Sequence, residues 1–221
     1  MDMQMTNRVP DWVTPLAWTF IALGVLTATV IAHDLYVRRH RRESVAVEVV
    51  WIVSALYLGP FALLAYTRHG RGAGRRARRA SSSTATAGLP GGGASAVAHL
   101  VGVPLVLASG LTIAGIDLWV MILVIGAIAM ALLFVYERLA ARGEGRRVPA
   151  GQALLVAVVT VLAFDLGMGG WMLLLHYNEL MPPATEGSFW FLMQLGIVAG
   201  LLTGYPVVRW LAARRATVVP A

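Results

Sequence analysis

The sequence predicts an all-α membrane protein, a polytopic transmembrane helical bundle of about six spans. Composition is the first reason, because 58% of the 221 residues are hydrophobic and only 13% are charged, which is too apolar for a soluble domain. Length is the second reason, since several apolar runs reach the roughly 20 residues that a helix needs to cross hydrocarbon. The six runs cover residues 12–36, 45–66, 96–115, 118–138, 151–177 and 188–211.

The first run is long enough to be a retained helix rather than a signal peptide. Arg8 precedes it, and Val30-Ile31-Ala32 weakly resembles a cleavage site. The apolar core of a signal peptide spans only about 7 to 15 residues, whereas this run is longer. We therefore expect a first transmembrane helix.

The runs divide the chain into three parts. Residues 1–67 are expected to form an N-terminal hairpin of two transmembrane helices. Residues 68–95 are rich in Arg, Gly and Ser and lack apolar periodicity, which predicts a flexible cytoplasmic linker. Residues 96–221 are the expected four-helix membrane domain, in which Gly115 allows a tight turn between the third and fourth spans.

The positive charge of the chain indicates membrane sidedness rather than nucleic-acid binding. All 18 basic residues are Arg, and they lie between the apolar runs with no motif that reads bases. With both termini in the cytoplasm of a bacterial inner membrane, 14 arginines lie inside and four outside. The four exceptions are Arg38, Arg39, Arg41 and Arg42. The linker arginines are expected to be exposed to solvent and to determine the orientation of the chain in the membrane. The other interpretation is that they contact anionic headgroups.

The chain lacks the parts of several enzyme classes. It has no Cys, which excludes disulfides, thiolate metal sites and cysteine nucleophiles. It also has no Gly-rich phosphate loop, serine elbow, helical metalloprotease pair or haem-attachment motif. The expected partner is the lipid bilayer, and an enzyme is not the leading interpretation.

One polar stripe is the main candidate for function. Asp165, Met168, Met172, His176 and Glu179 fall within an arc of roughly 80° on the fifth predicted span and rise about 21 Å along it. A central Asp costs about 2.5 to 3.5 kcal/mol on an insertion scale, so such residues usually face a partner, a cavity or a pathway. The stripe therefore predicts an ion site, or a carboxyl group that bonds to a neighbouring helix.

The stripe leaves the identity of an ion open. Thioether sulfurs favour Cu(I), so Met168 and Met172 beside His176 could form part of a copper site. Methionine also fills irregular gaps between helices, which is the packing interpretation of the same two residues. A second, weaker group gathers near the expected outer helix ends, where copper or zinc ligation competes with ordinary interfacial polarity: His33, Asp34, Glu48 and Asn178, beside His176 and Glu179.

Glycines in the last predicted span indicate close helix packing. Gly196, Gly200 and Gly204 recur every four residues and form a groove that lets another helix approach. The helix in the groove could belong to the same chain, to a second copy or to a membrane partner subunit.

The residues of the last two spans resemble a family of bacterial membrane proteins, domain of unknown function 4396. The resemblance rests on residues 163–172 and 189–194, on the glycines and Thr203 to Leu211 that follow, and on residues 50–60. It implies a polytopic helical protein with no established activity. Family members often open the third span with a histidine and two cysteines, where this chain has His99, Leu100 and Pro104, so it resembles a cysteine-free variant.

Two functions remain as expectations. In the first, the stripe around Asp165 binds or moves a small cation, either a transition metal such as copper or a proton. In the alternative, the protein is a membrane subunit or scaffold without transport, and Asp165 is structural.

Overall fold

The described residues form a bundle of α-helices. The computed structural model describes residues 9–38, 44–70, 87–143 and 145–217. Within these ranges the elements are α1 (Val13–Tyr36), α2 (Val45–Leu58), α3 (Pro60–Ala65), a π-helical turn (Tyr66–Gly70), α4 (Leu89–Ser109), α5 (Asp117–Gly143), α6 (Ala150–Tyr177) and α7 (Gly187–Thr217).

Five of these helices, α1 and α4 to α7, are long and apolar enough to cross a membrane. Large apolar side chains such as Leu123, Leu166 and Leu202 point away from the bundle, as contact with lipid hydrocarbon requires. The predicted all-α transmembrane bundle is thereby confirmed. The second predicted span, residues 45–66, is different, because it is broken into α2, α3 and the start of the π-helical turn.

Helices α4 to α7 form a four-helix unit in which each helix runs antiparallel to the next. One hydrophobic core fills the space between them. Small residues let the backbones approach closely, as is usual between membrane helices. Each interface has a glycine facing a side chain of its neighbour: Gly102 with Ile125, Gly126 with Asp165, Gly196 with Met168, and Gly92 with Leu201.

The predicted glycine groove holds α6 of the same chain. Gly196 lies against Met168, and Gly200 lies under the ring of Phe164. A Cβ atom at Gly200 would stand only 2.6 Å from the Phe164 ring, and one at Gly204 would stand 3.7 Å from the Phe164 backbone. The groove therefore joins α6 and α7 inside the molecule.

Helix α1 runs parallel to α7. Near its start, the Trp18 indole covers Gly187 at the start of α7. Phe20 then meets Phe191, with ring centroids 5.5 Å apart in an edge-to-face arrangement. Both helices advance in the same direction through these contacts, so they begin at the same end of the bundle and finish at the other.

The break after α2 has a chemical cause in Pro60. The Leu56 carbonyl would accept a hydrogen bond from the N–H of residue 60 in a continuous helix, but proline has no N–H. Gln194 of α7 supplies the missing donor, with its Nε2 2.7 Å from the Leu56 oxygen. Gly59 makes the turn with φ 55° and ψ −135°, a conformation that glycine tolerates best. Its backbone lies against the Phe20 ring.

Beyond the break, the chain folds back towards the end of α1. The Tyr66 hydroxyl donates a hydrogen bond of 2.9 Å to Asp34 Oδ2, and the Tyr66 ring meets Trp51 edge-on with centroids 5.6 Å apart. Phe20, which contacts Gly59, lies 14 residues before Asp34, or about 21 Å along α1. A chain continuing straight past Gly59 would move away from Asp34. Residues 45–70 therefore form a helical hairpin, called here the folded-back hairpin.

Helix α4 begins seven residues earlier than the predicted third span. The expected linker, residues 68–95, therefore overlaps both the π-helical turn and the first residues of α4, while residues 71–86 lie outside the described structure. Gly92 explains the early start, because its bare backbone lets Tyr57 and Leu201 pack against this segment. The Tyr57 hydroxyl also donates to the Leu89 carbonyl at 3.3 Å.

Replacing Gln194 by Leu should destabilise the junction between α2 and α7. The Leu56 carbonyl would lose its donor where water is scarce, a cost of about 1 to 3 kcal/mol. The control variant is Thr203→Val, because among the described residues the Thr203 hydroxyl bonds to carbonyls of its own helix. We expect Gln194→Leu to have a lower apparent melting temperature in detergent than this control. Equal melting temperatures for the two variants would contradict this role of Gln194.

Replacing Gly200 by Ala should separate α6 from α7. The added methyl group would collide with the Phe164 ring, and overpacking of this kind costs about 1 to 3 kcal/mol. The melting temperature should fall, and part of the loss should be recovered in the double variant Gly200→Ala, Phe164→Leu. If the second substitution adds its own loss without any recovery, the proposed contact is not the cause.

Candidate functional site

Asp165 is held halfway along α6, the sixteenth of its 28 residues. Pro149 precedes the helix with extended backbone, and the first helical residues follow it without a side-chain cap. At the other end, Asn178 Nδ2 donates to the Leu174 carbonyl at 2.7 Å. The residues between these two ends are nearly all apolar. Because each helical residue adds about 1.5 Å, Asp165 lies about 22 Å from the helix start. This depth corresponds to the middle of a bilayer-spanning segment.

The Asp165 carboxyl group faces the bare backbone of α5. Its Oδ2 lies so close to Gly126 that a Cβ atom added there would be 3.2 Å away. Asp165 is half-buried. Across the described parts of the chain, no hydrogen bond or ion pair engages this carboxyl group. Gln194 and Tyr57, two polar side chains of neighbouring helices, bond instead to backbone carbonyls.

The two methionines of the stripe lie in the hydrophobic core. Met168 and Met172 are each 2% exposed and belong to the cluster that fills the four-helix unit. The Met168 sulfur occupies the space left by the missing side chain of Gly196. Trp171 donates from its indole N–H to the Leu192 carbonyl at 2.9 Å. This face of α6 therefore packs closely against α7, while Asp165 is directed at α5.

The C-terminal part of the stripe, His176 and Glu179, lies at and beyond the end of α6. His176 is half-buried and its ring stands edge-on to Tyr177, while Glu179 is exposed with φ 57°. In the ranges 9–38, 44–70, 87–143 and 145–217, no three His, Asp or Glu side chains group where they could hold one metal ion. Four of the five stripe residues thus lie on α6 and Glu179 lies beyond its end, and the five side chains do not converge on one point.

The weaker predicted cluster is divided between the two ends of the bundle. His33 and Asp34 lie in the last turn of α1, and Glu48 is fully buried at the start of α2. Asn178 follows α6 and is exposed, near the turn that leads into α7. Because α1 and α7 are parallel, that turn lies at the end where α1 begins. His33, Asp34 and Glu48 thus lie at one end of the bundle and Asn178 at the other, and metal binding by these residues stays a prediction.

His99, which opens the third predicted span, is a buried residue midway along α4. Its side chain is 3% exposed, because α4 begins at Leu89 and places His99 midway along the helix. The Nδ1 atom donates to the Ser95 carbonyl at 2.8 Å, so in the neutral ring Nε2 carries the lone pair. That Nε2 is buried and has no hydrogen-bond partner among the described residues. A predicted third span that began at residue 89 instead of 96 would have placed His99 in the middle of the helix.

His99 and Gln194 occupy matching positions on α4 and α7. Gly92 contacts Leu201, and seven residues, close to two turns, separate each of these from His99 and Gln194 respectively. The two helices are antiparallel, so the register places His99 opposite Gln194. The Gln194 Oε1 atom is also buried, and no described residue donates a hydrogen bond to it. Within the described part of the chain, these two interior acceptor atoms thus lack a donor, and a water molecule or a protonated group would satisfy them.

Comparisons with known proteins identify a family and no activity. No curated protein and no solved structure matches the chain. The model of the family described as a domain of unknown function, DUF4396, matches residues 81–216, which include all of α4 to α6 and nearly all of α7. This match covers more than half of the chain, and the four-helix unit with Asp165 and His99 lies inside it. The protein belongs to the family of domain of unknown function 4396.

Proposed function

We propose that this multi-pass membrane protein binds a proton, or another small cation, at Asp165 and passes it across a bacterial cytoplasmic membrane. The observation that supports the proposal is the position of the Asp165 carboxyl group. It lies midway along a spanning helix and faces Gly126, with no hydrogen bond or ion pair to the described residues. Intramembrane carboxyl groups of this kind are characteristic of proton relays and ion pathways.

The chemistry follows from the cost of charge in hydrocarbon. An ionised carboxylate without a partner is costly at this depth, so Asp165 gains by holding a proton or a cation. Because no neighbouring donor stabilises one state permanently, the bound ion can be exchanged. Gly126 contributes by leaving space beside Oδ2, since any larger side chain at that position would lie against the carboxyl group.

His99 is the second group that this function would use. Its Nε2 atom is buried and accepts no hydrogen bond from the described residues, and imidazole can accept and release a proton. Gly102, one turn along α4, contacts Ile125, the residue next to Gly126. His99 and Asp165 thus lie near the same level of α5, on its two sides.

Copper or zinc transport is the less supported form of the proposal. Its ligands would be Met168, Met172 and His176, with Asp165 or Glu179. The two thioether sulfurs pack among apolar side chains, and the described residues contain no metal-ligand group of three His, Asp or Glu. A proton requires only one exchangeable carboxyl group, which is what Asp165 offers.

The alternative is a membrane subunit or scaffold without transport. In that function Asp165 would bond to a neighbouring helix, and the glycine groove would receive a partner. The described residues favour neither of these two contacts. Asp165 forms no such bond among them, and α6 of the same chain fills the groove at Gly196 and Gly200.

Asp165→Asn should abolish proton movement while preserving the fold. Purified protein is reconstituted into vesicles with an internal pH dye, and a potassium gradient with valinomycin imposes the membrane potential. We expect the native protein to acidify or alkalinise the interior, and the variant to be slower by about tenfold or more, because Asn cannot carry the proton.

The matched control is Asp117→Asn, which removes the same charge in the first turn of α5 and should leave the rate unchanged. Melting temperatures in detergent check that both variants are folded. Native vesicles that are no more permeable to protons than empty ones would contradict the proton form. Addition of Cu⁺, Zn²⁺ or Na⁺ with matching dyes tests other cations in the same vesicles.

A further inference from the structure

We propose that the chain crosses the bilayer five times, and that the end where α1 finishes is an arginine-bearing surface for the anionic phospholipid headgroups of the cytoplasmic leaflet. The N-terminus then lies on the opposite side of the membrane from the C-terminus. This inference is independent of Asp165. It follows from the folded-back hairpin, residues 45–70, together with the directions of the helices.

Contacts between the helices establish the direction in which each helix runs. Trp18 covers Gly187, and Phe20 meets Phe191, so α1 and α7 begin at one end, called here the acidic end. Helices α4 to α7 alternate in direction, which places the start of α4 at the opposite end, the arginine end. The Tyr66–Asp34 hydrogen bond returns the folded-back hairpin to that same end. The hairpin therefore enters and leaves on one side, and α4 begins on that side.

The length of α2 agrees with this path. Its 14 residues extend about 21 Å, less than the roughly 30 Å of hydrocarbon that a spanning helix must cross. Backbone that is not helical is tolerated at such depth only where protein covers it. Here Gln194 bonds to the Leu56 carbonyl, and Gly24 of α1 lies against the Ala55 and Leu56 carbonyls.

The described arginines gather at one of the two ends. Every arginine whose side chain the structure describes lies at the arginine end: Arg38, Arg68, Arg138, Arg142, Arg146, Arg147, Arg209 and Arg214. The described carboxylates are divided, with Asp11, Asp117, Glu179 and Glu186 at the acidic end and Asp34, Glu48 and Glu137 at the arginine end. Arginine-rich loops stay in the cytoplasm, so the arginine end faces inward. A straight crossing by residues 45–66 would instead put Arg38 and Arg68 on opposite sides.

Aromatic rings hold three of these guanidinium groups at the membrane surface. Arg138 lies over Phe134, Arg209 over Tyr205, and Arg214 over Trp210, with 4.0 Å from the Arg214 Cζ atom to the ring centre. Tyr and Trp prefer the headgroup level, and long basic side chains extend along apolar surface to reach it. A guanidinium group there can bind phosphate oxygens through two N–H donors. Charge and geometry together favour anionic phospholipid as the occupant.

The absence of cysteine makes the topology directly testable. Single cysteines are introduced at Pro10, Val37, Leu111, Ala150 and Thr185, all exposed and outside the packed core, and labelled with a membrane-impermeant maleimide. In intact cells we expect labelling at Pro10, Leu111 and Thr185. In inverted vesicles we expect it at Val37 and Ala150. Six spans with a cytoplasmic N-terminus would exchange the results for Pro10 and Val37, and that exchange would overturn the proposal, as would reversal at all five positions.

The lipid partner is tested by thermal stability in detergent with added phosphatidylglycerol or phosphatidylcholine. Phosphatidylglycerol should raise the melting temperature of the native protein, and the shift should decrease with salt. The triple variant Arg142→Gln, Arg146→Gln, Arg147→Gln should show a smaller shift, whereas the control Asp117→Asn, Glu186→Gln should keep it. Equal shifts for the triple variant and the native protein, or equal shifts for the two lipids, would reject an anionic-lipid surface.

Discussion

The fold depends on one constraint, which is that every backbone polar group inside a bilayer needs a partner within the protein. Pro60 removes the N–H that would pair with the Leu56 carbonyl, so α2 can end in the interior only if another group replaces it. Gln194 does so from α7. The same carbonyl region receives Gly24 of α1. One amide side chain and one glycine thus attach the N-terminal helices to the four-helix unit.

The four-helix unit uses its polar residues for different purposes. Gln194 completes the backbone hydrogen bonding at the end of α2. Tyr57 and Trp171 donate to carbonyls of neighbouring helices and so link α2 to α4 and α6 to α7. Asp165 and the Nε2 atom of His99 do not take part in such bonding among the described residues. This difference separates groups that hold the structure together from the two groups at which we propose that a cation binds. Glycines beside them keep the backbones close without filling the space around Asp165.

The described arginines share one end of the bundle, where they favour anions. Asp34, Glu48 and Glu137 lie at that end as well, so the described carboxylates are divided between the two ends. The folded-back hairpin is necessary for the grouping of the arginines, because a straight second span would move Arg68 away from Arg38.

The sequence by itself determined the all-α membrane class, most helix positions and the depth of Asp165, because apolar length and helical periodicity are local properties. It also indicated the glycine groove. The direction of the chain after Gly59 was decided only by tertiary structure, since Pro60 signals a break but the Tyr66–Asp34 and Gln194–Leu56 bonds join residues far apart in sequence. Tertiary packing likewise decided that His99 is buried, that Met168 serves as packing, and that the predicted polar cluster is divided between two ends. Local pattern specifies which helices form, whereas long-range contacts specify how they are directed and which polar groups remain without partners.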